Sequence, residues 1–173
     1  MVNRNSKIRI LLRGVKMARL SAAFLLAITL PLATALADDV RGTAEIIDAQ
    51  TLIVGNKTIW LMEVVTPRPG DTCTYENRHI DCGRIAKTGL QDLTAGATVN
   101  CDTKVEKSKG IWLGRCDAGG YDLSEGLIYT GWGRAAKNAS PYLKKLESQS
   151  KAKRRGLWKG DFPASVNIAV SGD

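Results

Sequence analysis

The stretch that decides the fold is Gly42–Arg68, which reads GTAEIIDAQTLIVGNKTIWLMEVVTPR. Three runs within it are rich in β-branched residues, which favour strands. These runs are Thr43–Ile47, Thr51–Val54 and Thr58–Val64. Between the second and third runs, Gly55 and Asn56 suit the positive φ of a tight hairpin turn. Pro67 ends the last strand because proline has no N–H to donate to a sheet. The stretch therefore predicts a three-stranded meander.

This meander resembles the opening of the staphylococcal nuclease-like (thermonuclease) family, whose fold is an OB-type barrel. Members typically read I-D-G-D-T, then a short hairpin, then R-L-x-x-I-D-x-P-E. This chain reads I-D-A-Q-T over 47–51 and W-L-M-E-V-V-T-P-R over 60–68, in the same frame. The runs D-L-x-x-x-L-x-x-x-G-W (122–132) and R-R-G-L-W (154–158) are also similar to the family. The resemblance implies an α+β fold, a β-barrel plus helices: a five-stranded OB-fold barrel with three helices, spanning residues 38–158.

The resemblance also indicates where the catalytic groups of the family would lie. Those groups are two Ca²⁺-binding aspartates, a glutamate that activates water, and two arginines that hold the phosphate. In the same order, the matching positions hold Gln50, Val65, Arg68, Trp60 and Ile111. No carboxylate remains at these positions, so we expect the nuclease site to be replaced and the domain to be a pseudoenzyme.

Several polar residues nevertheless lie close to these positions in the sequence. They are Asp48, Thr51, Glu63, Thr66 and Asp71. On an alternating strand Glu63 would face the same side as Val65. A metal site relocated to Asp48, Glu63 and Asp71 is therefore the alternative, and it would restore Ca²⁺-dependent or other divalent-dependent phosphodiester cleavage. Without that site, we expect no cofactor.

The N-terminal residues 1–37 have the pattern of a secretory signal peptide. Six Lys or Arg residues precede an apolar run, Leu20–Leu36, which ends in the small-x-small sequence Ala35-Leu36-Ala37. A membrane anchor is the alternative, but Pro31 and the small residues favour cleavage before Asp38. We therefore expect an exported protein, periplasmic or secreted, with no membrane span after cleavage.

Removing this segment changes the charge. The whole chain carries +8 and residues 1–37 carry six basic and no acidic side chains, so residues 38–173 carry +8 − 6 = +2. Such a mildly basic chain does not by itself imply nucleic-acid binding. Its length suits a single domain, which we expect to be a monomer.

The cysteines are Cys73, Cys82, Cys101 and Cys116. An even number in an exported chain predicts disulfides, with three possible connectivities. Proximity favours Cys73–Cys82, and the other two fall on strands that should pair. A four-cysteine metal site is the alternative, but the spacing lacks a C-x₂-C pair.

The rest of the chain predicts further helices and strands. We expect helices over 82–93, from an Asp122 N-cap to Thr130, and from Ser140-Pro141 to about Arg155. We expect strands over 98–106 and 110–116, and a flexible C-terminal tail over 159–173.

Three functions are compatible with these observations. The first is a non-catalytic binding or accessory module, whose apolar barrel face suits a protein, peptide or glycan partner. The second is the nuclease with a rearranged site. The third is a non-catalytic nucleic-acid binder that uses the basic residues of the last helix, Lys144–Arg155.

Overall fold

The structure, a computed structural model, describes residues 38–171, which fall within one compact unit. The predicted signal peptide lies outside the described residues. The strands are β1 (Asp38–Gly42), β2 (Ala44–Ile46), β3 (Thr51–Val54), β4 (Lys57–Leu61), β5 (Val64–Val65), β6 (Thr72–Tyr75), β7 (Arg78–Asp81), β8 (Val99–Ser108), β9 (Ile111–Ala118), β10 (Tyr121–Asp122) and β11 (Arg134–Ala135). The helices are α1 (Cys82–Thr94), α2 (Leu123–Thr130), α3 (Pro141–Ala152) and α4 (Ala164–Ser171), with a 3₁₀ helix at Gly156–Lys159. Within this part of the chain, no helix is both long and apolar enough to cross a membrane.

The class is α+β, with a curled half-barrel sheet. Its order is β1-β8-β9-β4-β3-β2, and β10 adds to β9. The predicted hairpins are confirmed: β3 pairs with β4 and β8 pairs with β9, both antiparallel. The prediction of five strands is wrong for the described residues, because the sheet has seven. The parallel pair β4–β9 joins the two hairpins and places Trp60 beside Leu113.

One face of the sheet packs against the helices. Alternate residues of β3 and β4 point into this core, including Leu52, Val54, Ile59 and Leu61, each with no exposed surface. Leu90 of α1 and Leu127 of α2 complete it from the helical side. The opposite face of the sheet carries Trp60 of β4 and Leu113 of β9, which are only half-buried. The core thus leaves a partly apolar second face of the sheet.

The helix starts are confirmed by their caps. Asp81, Asp122 and Ser140 each accept a hydrogen bond from the backbone N–H three residues later, at 2.8, 2.8 and 3.3 Å. Satisfying these N–H groups by a side chain fixes where a helix begins. The third helix ends earlier than predicted, at Ala152, and Arg154 follows with a positive φ of 49°.

The predicted helix number is wrong, because the described residues form four α-helices rather than three. The additional helix, α4, lies in the segment that was expected to be a flexible tail. Val166 is 1% exposed and packs with Leu157 and Phe162 in a second hydrophobic cluster. The sequence of α4 shows little difference between a polar and an apolar face, but burial of these apolar side chains holds the helix against the rest of the chain. Residues 161–171 are therefore part of the domain.

The third strand of the meander is also shorter than predicted. It breaks at Met62-Glu63, and the chain resumes as β5, which pairs with β11 rather than with the main sheet. Glu63 has a φ of +61°, a left-handed conformation that glutamate rarely adopts. This break turns β5 out of the sheet and opens a cleft, described below.

One disulfide is confirmed, Cys101–Cys116, which joins directly opposite residues of β8 and β9. The predicted Cys73–Cys82 bridge is absent: both residues are buried free cysteines. Cys82 also donates to the carbonyl of Asp71 at 3.4 Å. Cys82 thus has an acceptor for its thiol without a bond between the sulfurs.

Reduced Cys73 and Cys82 should resist alkylation in the folded protein. Burial raises the pKa of both thiols, and the thiolate is the species that reacts. With iodoacetamide at pH 8, we expect mass spectrometry to detect labelling of this pair only after unfolding in guanidinium. Labelling of the native protein as fast as a free cysteine in solution would contradict this prediction.

Candidate functional site

A cleft of about 240 Å³ lies where β5 leaves the sheet. It contains four of the five positions where the chain departs from the nuclease-like pattern. Those four are Gln50, Trp60, Val65 and Arg68. Glu63 and Thr66 also line it, together with Leu113 of β9, Ala136 and Asn138 after β11, and Ala169 of α4. Six of the ten sequence positions singled out above therefore line one cleft, whereas Asp48, Thr51, Asp71 and Ile111 do not.

Gln50 lines the cleft and is 7% exposed. Its side-chain Nε2 donates to the carbonyls of Leu61 (3.2 Å) and Val64 (2.6 Å). Its Oε1 accepts from the N–H of Thr66 at 3.3 Å. The carbonyl of Val64 and the N–H of Thr66 are the groups that a neighbouring strand would bind, so the amide occupies the free edge of β5. An aspartate, which only accepts when ionised, could not make the two donor contacts.

Trp60 forms the apolar wall of the cleft. It lies opposite Leu113 on β9 and opposite Thr51, which is buried on β3. The Nζ atom of Lys107, near the tip of the β8–β9 hairpin, lies 3.1 Å from the centroid of the Trp60 ring. A cation over an indole face is an attractive arrangement. Trp60 of β4 thus supports a lysine from another strand.

Lys107 and Arg68 are two cations at the rim of the cleft, and Asp48 is the carboxylate that acts on Lys107. The pKa of Lys107 is lowered, mainly by partial loss of its hydration and secondly by the charge of Arg68, while Asp48 acts in the opposite direction. Arg68 is exposed. Its backbone N–H donates to the carboxylate of Asp71 at 2.7 Å, and that carboxylate also accepts from Ser165 of α4 at 2.6 Å. Asp71 therefore fixes the loop and α4 rather than balancing the guanidinium.

Glu63 serves as a structural acceptor. One carboxylate oxygen accepts from the backbone N–H of Ser140 at 2.8 Å, just before α3, and the other pairs with Arg115. The side chain of Glu63 is only 13% exposed. A carboxylate is favoured at a helix N-terminus, where backbone N–H groups lack partners.

The structure does not bring the three residual acids together. Asp48 accepts from the N–H of Gln50 and lines a separate pocket with Asp81 and Arg84. Glu63 and Asp71 are committed to the hydrogen bonds above. Among residues 38–171, no three His, Cys, Asp or Glu side chains are arranged to hold a metal ion. The hypothesis of a relocated site on Asp48, Glu63 and Asp71 is thus unsupported by their positions.

The surroundings of the two substituted positions not yet described, Val65 and Ile111, differ from each other. Val65 lines the cleft but also packs against the second hydrophobic cluster and pairs with Arg134 of β11. Ile111 lies outside the cleft lining, one row away, opposite Thr58 and Ser108.

Sequence reasoning missed Lys107, Leu113 and Ala169. Strand alternation could have placed Leu113 on the face of Ile111, two residues earlier. No local pattern brings Lys107 over Trp60 or α4 to the cleft, because both contacts depend on the tertiary fold. The basic residues of α3 do not line this cleft, and Arg155 stacks on Tyr129 with its guanidinium carbon 3.8 Å from the ring centroid.

Comparison of the sequence with models of protein families and with curated proteins finds no match.

Proposed function

We propose that this chain is an exported, non-catalytic binding module with a thermonuclease-like OB fold, and that it binds its partner in the cleft beside Trp60. The observation that carries the proposal is the role of Gln50. Its amide forms three hydrogen bonds that hold β5 in place, at the position where the resemblance implies a Ca²⁺-binding carboxylate.

The chemistry of the cleft supports binding over hydrolysis. Ca²⁺ takes several oxygen ligands, hydrolysis needs a base to activate water, and the growing phosphate charge needs cations aimed at it. Val65 supplies none of these, and Arg68 would repel a cation at the position of the base. Trp60 and Leu113 instead offer an apolar surface that is only partly covered.

Several further features belong to this proposal. Residues 1–37 act as a signal peptide, and the module functions as a monomer in the periplasm or outside the cell. Its partner is a protein, a peptide or a glycan, because those ligands present apolar groups that suit the cleft.

The first experiment tests for catalysis. The chain from Asp38 to Asp173 is mixed with a fluorescein-labelled single-stranded oligonucleotide, and anisotropy is followed with Ca²⁺ and then with EDTA. We expect a trace that does not fall with time in either buffer. A fall that requires Ca²⁺ would mean cleavage and would contradict the proposal. A stable, salt-sensitive rise would favour nucleic-acid binding through the basic face of α3.

The second experiment tests the binding site. Amide chemical shifts of the ¹⁵N-labelled domain are recorded while fractionated extracts of the exported compartment are added. We expect residues of the cleft, including Trp60 and Thr66, to respond first. Responses confined to another surface would place the binding site elsewhere.

A further inference from the structure

An apolar row crosses the second face of the sheet. The pairing registers place Trp60 of β4, Leu113 of β9 and Val105 of β8 side by side. Val105 is 60% exposed, although a valine at the centre of a strand is usually covered. Ile111 and Ile53, which are half-buried, lie in the adjacent row through Thr58. The row therefore continues the apolar wall of the cleft onto the open face of the sheet.

Cations border this row at the cleft end. Neither the Lys107 ammonium nor the Arg68 guanidinium forms an ion pair with another described residue, whereas Lys104, Arg115 and Arg134 each pair with a carboxylate. Asp48 is the acid that acts on Lys107, and its carboxylate already accepts the N–H of Gln50. The rim thus presents two cations that form no ion pair among the described residues beside an apolar wall, with Asp48 as the acid that acts on Lys107.

We propose that the cleft binds an acidic peptide, which inserts one apolar side chain against Trp60 and Leu113 and sets a carboxylate between Lys107 and Arg68. This inference rests on the proposed function and names its partner class. Arg68 lines the cleft, and the Lys107 ammonium lies over the ring of Trp60, which lines it too. Two such cations complement a carboxylate, and charge-assisted contacts of this kind are stronger than neutral hydrogen bonds. The occupant is a peptide because a cleft of about 240 Å³ has room for a single apolar side chain, while polar residues of the lining such as Gln50, Thr66 and Asn138 suit a peptide backbone. Glu63, the carboxylate of the lining, is already bound to Ser140 and Arg115.

Single-stranded nucleic acid fits these observations less well. Its proteins stack successive bases on several aromatic side chains along a positively charged groove. In the lining of this cleft Trp60 is the one aromatic residue. The net charge of +2 over residues 38–173 (+8 − 6) gives little long-range attraction to phosphates.

The test is a binding titration with three labelled probes and the chain from Asp38 to Asp173. The probes are a short peptide with a central leucine flanked by aspartates, the same peptide with asparagines, and single-stranded oligo-dT. We expect saturable binding of the aspartate peptide, about tenfold weaker binding of the asparagine peptide, and none of oligo-dT. Amide shift changes on Trp60, Lys107 and Leu113 should accompany the binding.

Variants separate the charge from the apolar contact. Lys107→Glu should weaken binding of the aspartate peptide about tenfold and leave binding of the asparagine peptide little changed. Trp60→Ala should weaken binding of both peptides by about thirtyfold. Lys145→Glu, the same charge change at an exposed position of α3, is the matched control and should change neither. Because Lys107 is exposed on a hairpin, its variant should fold even if the Trp60 variant does not.

The outcomes distinguish this inference from the proposed function. If the aspartate peptide does not bind, or if Lys107→Glu and Lys145→Glu weaken it equally, the acidic-peptide inference is wrong. If oligo-dT or another ligand then shifts the same cleft residues without cleavage, the cleft remains a binding site with a different partner. Calcium-dependent cleavage, by contrast, would remove the proposed function itself.

Discussion

Replacing Gln50 by glutamate (Gln50→Glu) should lower the free energy of unfolding by about 3 kcal/mol at pH 7, the cost of unsatisfied buried polar groups with an added buried charge. The carbonyls of Leu61 and Val64 would lose their donor and face a carboxylate instead. For a domain of this size the melting temperature should fall by on the order of 10 °C, measured by circular dichroism.

The pH dependence identifies the cause. The introduced carboxylate would have a raised pKa in the folded state, because burial and the two carbonyls disfavour its charge. The folded variant would then bind more protons than the unfolded chain. Its loss of unfolding free energy relative to the wild type should therefore shrink as the pH falls towards about 4. Gln50→Leu should lose stability at every pH without this recovery. Gln91→Glu, an exposed change on α1, should be nearly neutral. A pH-independent loss in Gln50→Glu would mean that the side chain rotates into solvent.

The parts of the fold that sequence predicts are those with a local physical cause. Asp122 and Ser140 begin helices because their side chains accept N–H groups three residues ahead, and that spacing is visible in the sequence. The turn at Gly55-Asn56 is equally local. The break at Met62-Glu63 has no such cause, because it depends on hydrogen bonds from Gln50, many residues earlier.

The candidate site divides in the same way. The resemblance selected five positions. Gln50, Trp60, Val65 and Arg68 line one cleft, and Ile111 does not. The resemblance gave no indication of Lys107, which approaches from the tip of another hairpin. The resemblance did not indicate α4 either, because its small residues do not divide into a polar and an apolar face. The helix is held in place by the buried Val166 and by the Ser165–Asp71 hydrogen bond. Contacts between distant segments decide these features.

Removing the carboxylate of Glu63 (Glu63→Ala) should lower the free energy of unfolding by about 2–3 kcal/mol. The backbone N–H of Ser140 would lose its acceptor and Arg115 would lose its partner. Because Arg115 is well exposed, water would compensate for most of that second loss, and the helix start at α3 should account for most of the effect. Urea denaturation measures the loss, and Glu45→Ala, an exposed change on β2, is the control.

Two further measurements separate the carboxylate from the strained backbone and from a metal. Glu63→Gly also loses the carboxylate but relieves the positive φ, so it should be about 1 kcal/mol more stable than Glu63→Ala. A ligand that binds only the folded state raises its stability by RT ln(1 + [L]/Kd), so a Ca²⁺ site on Glu63 would make wild-type stability depend on Ca²⁺. We expect millimolar Ca²⁺ to leave the urea midpoints of the wild type and Glu63→Ala unchanged. A Ca²⁺-dependent rise in the wild type that disappears in Glu63→Ala would restore the metal site and the nuclease hypothesis with it.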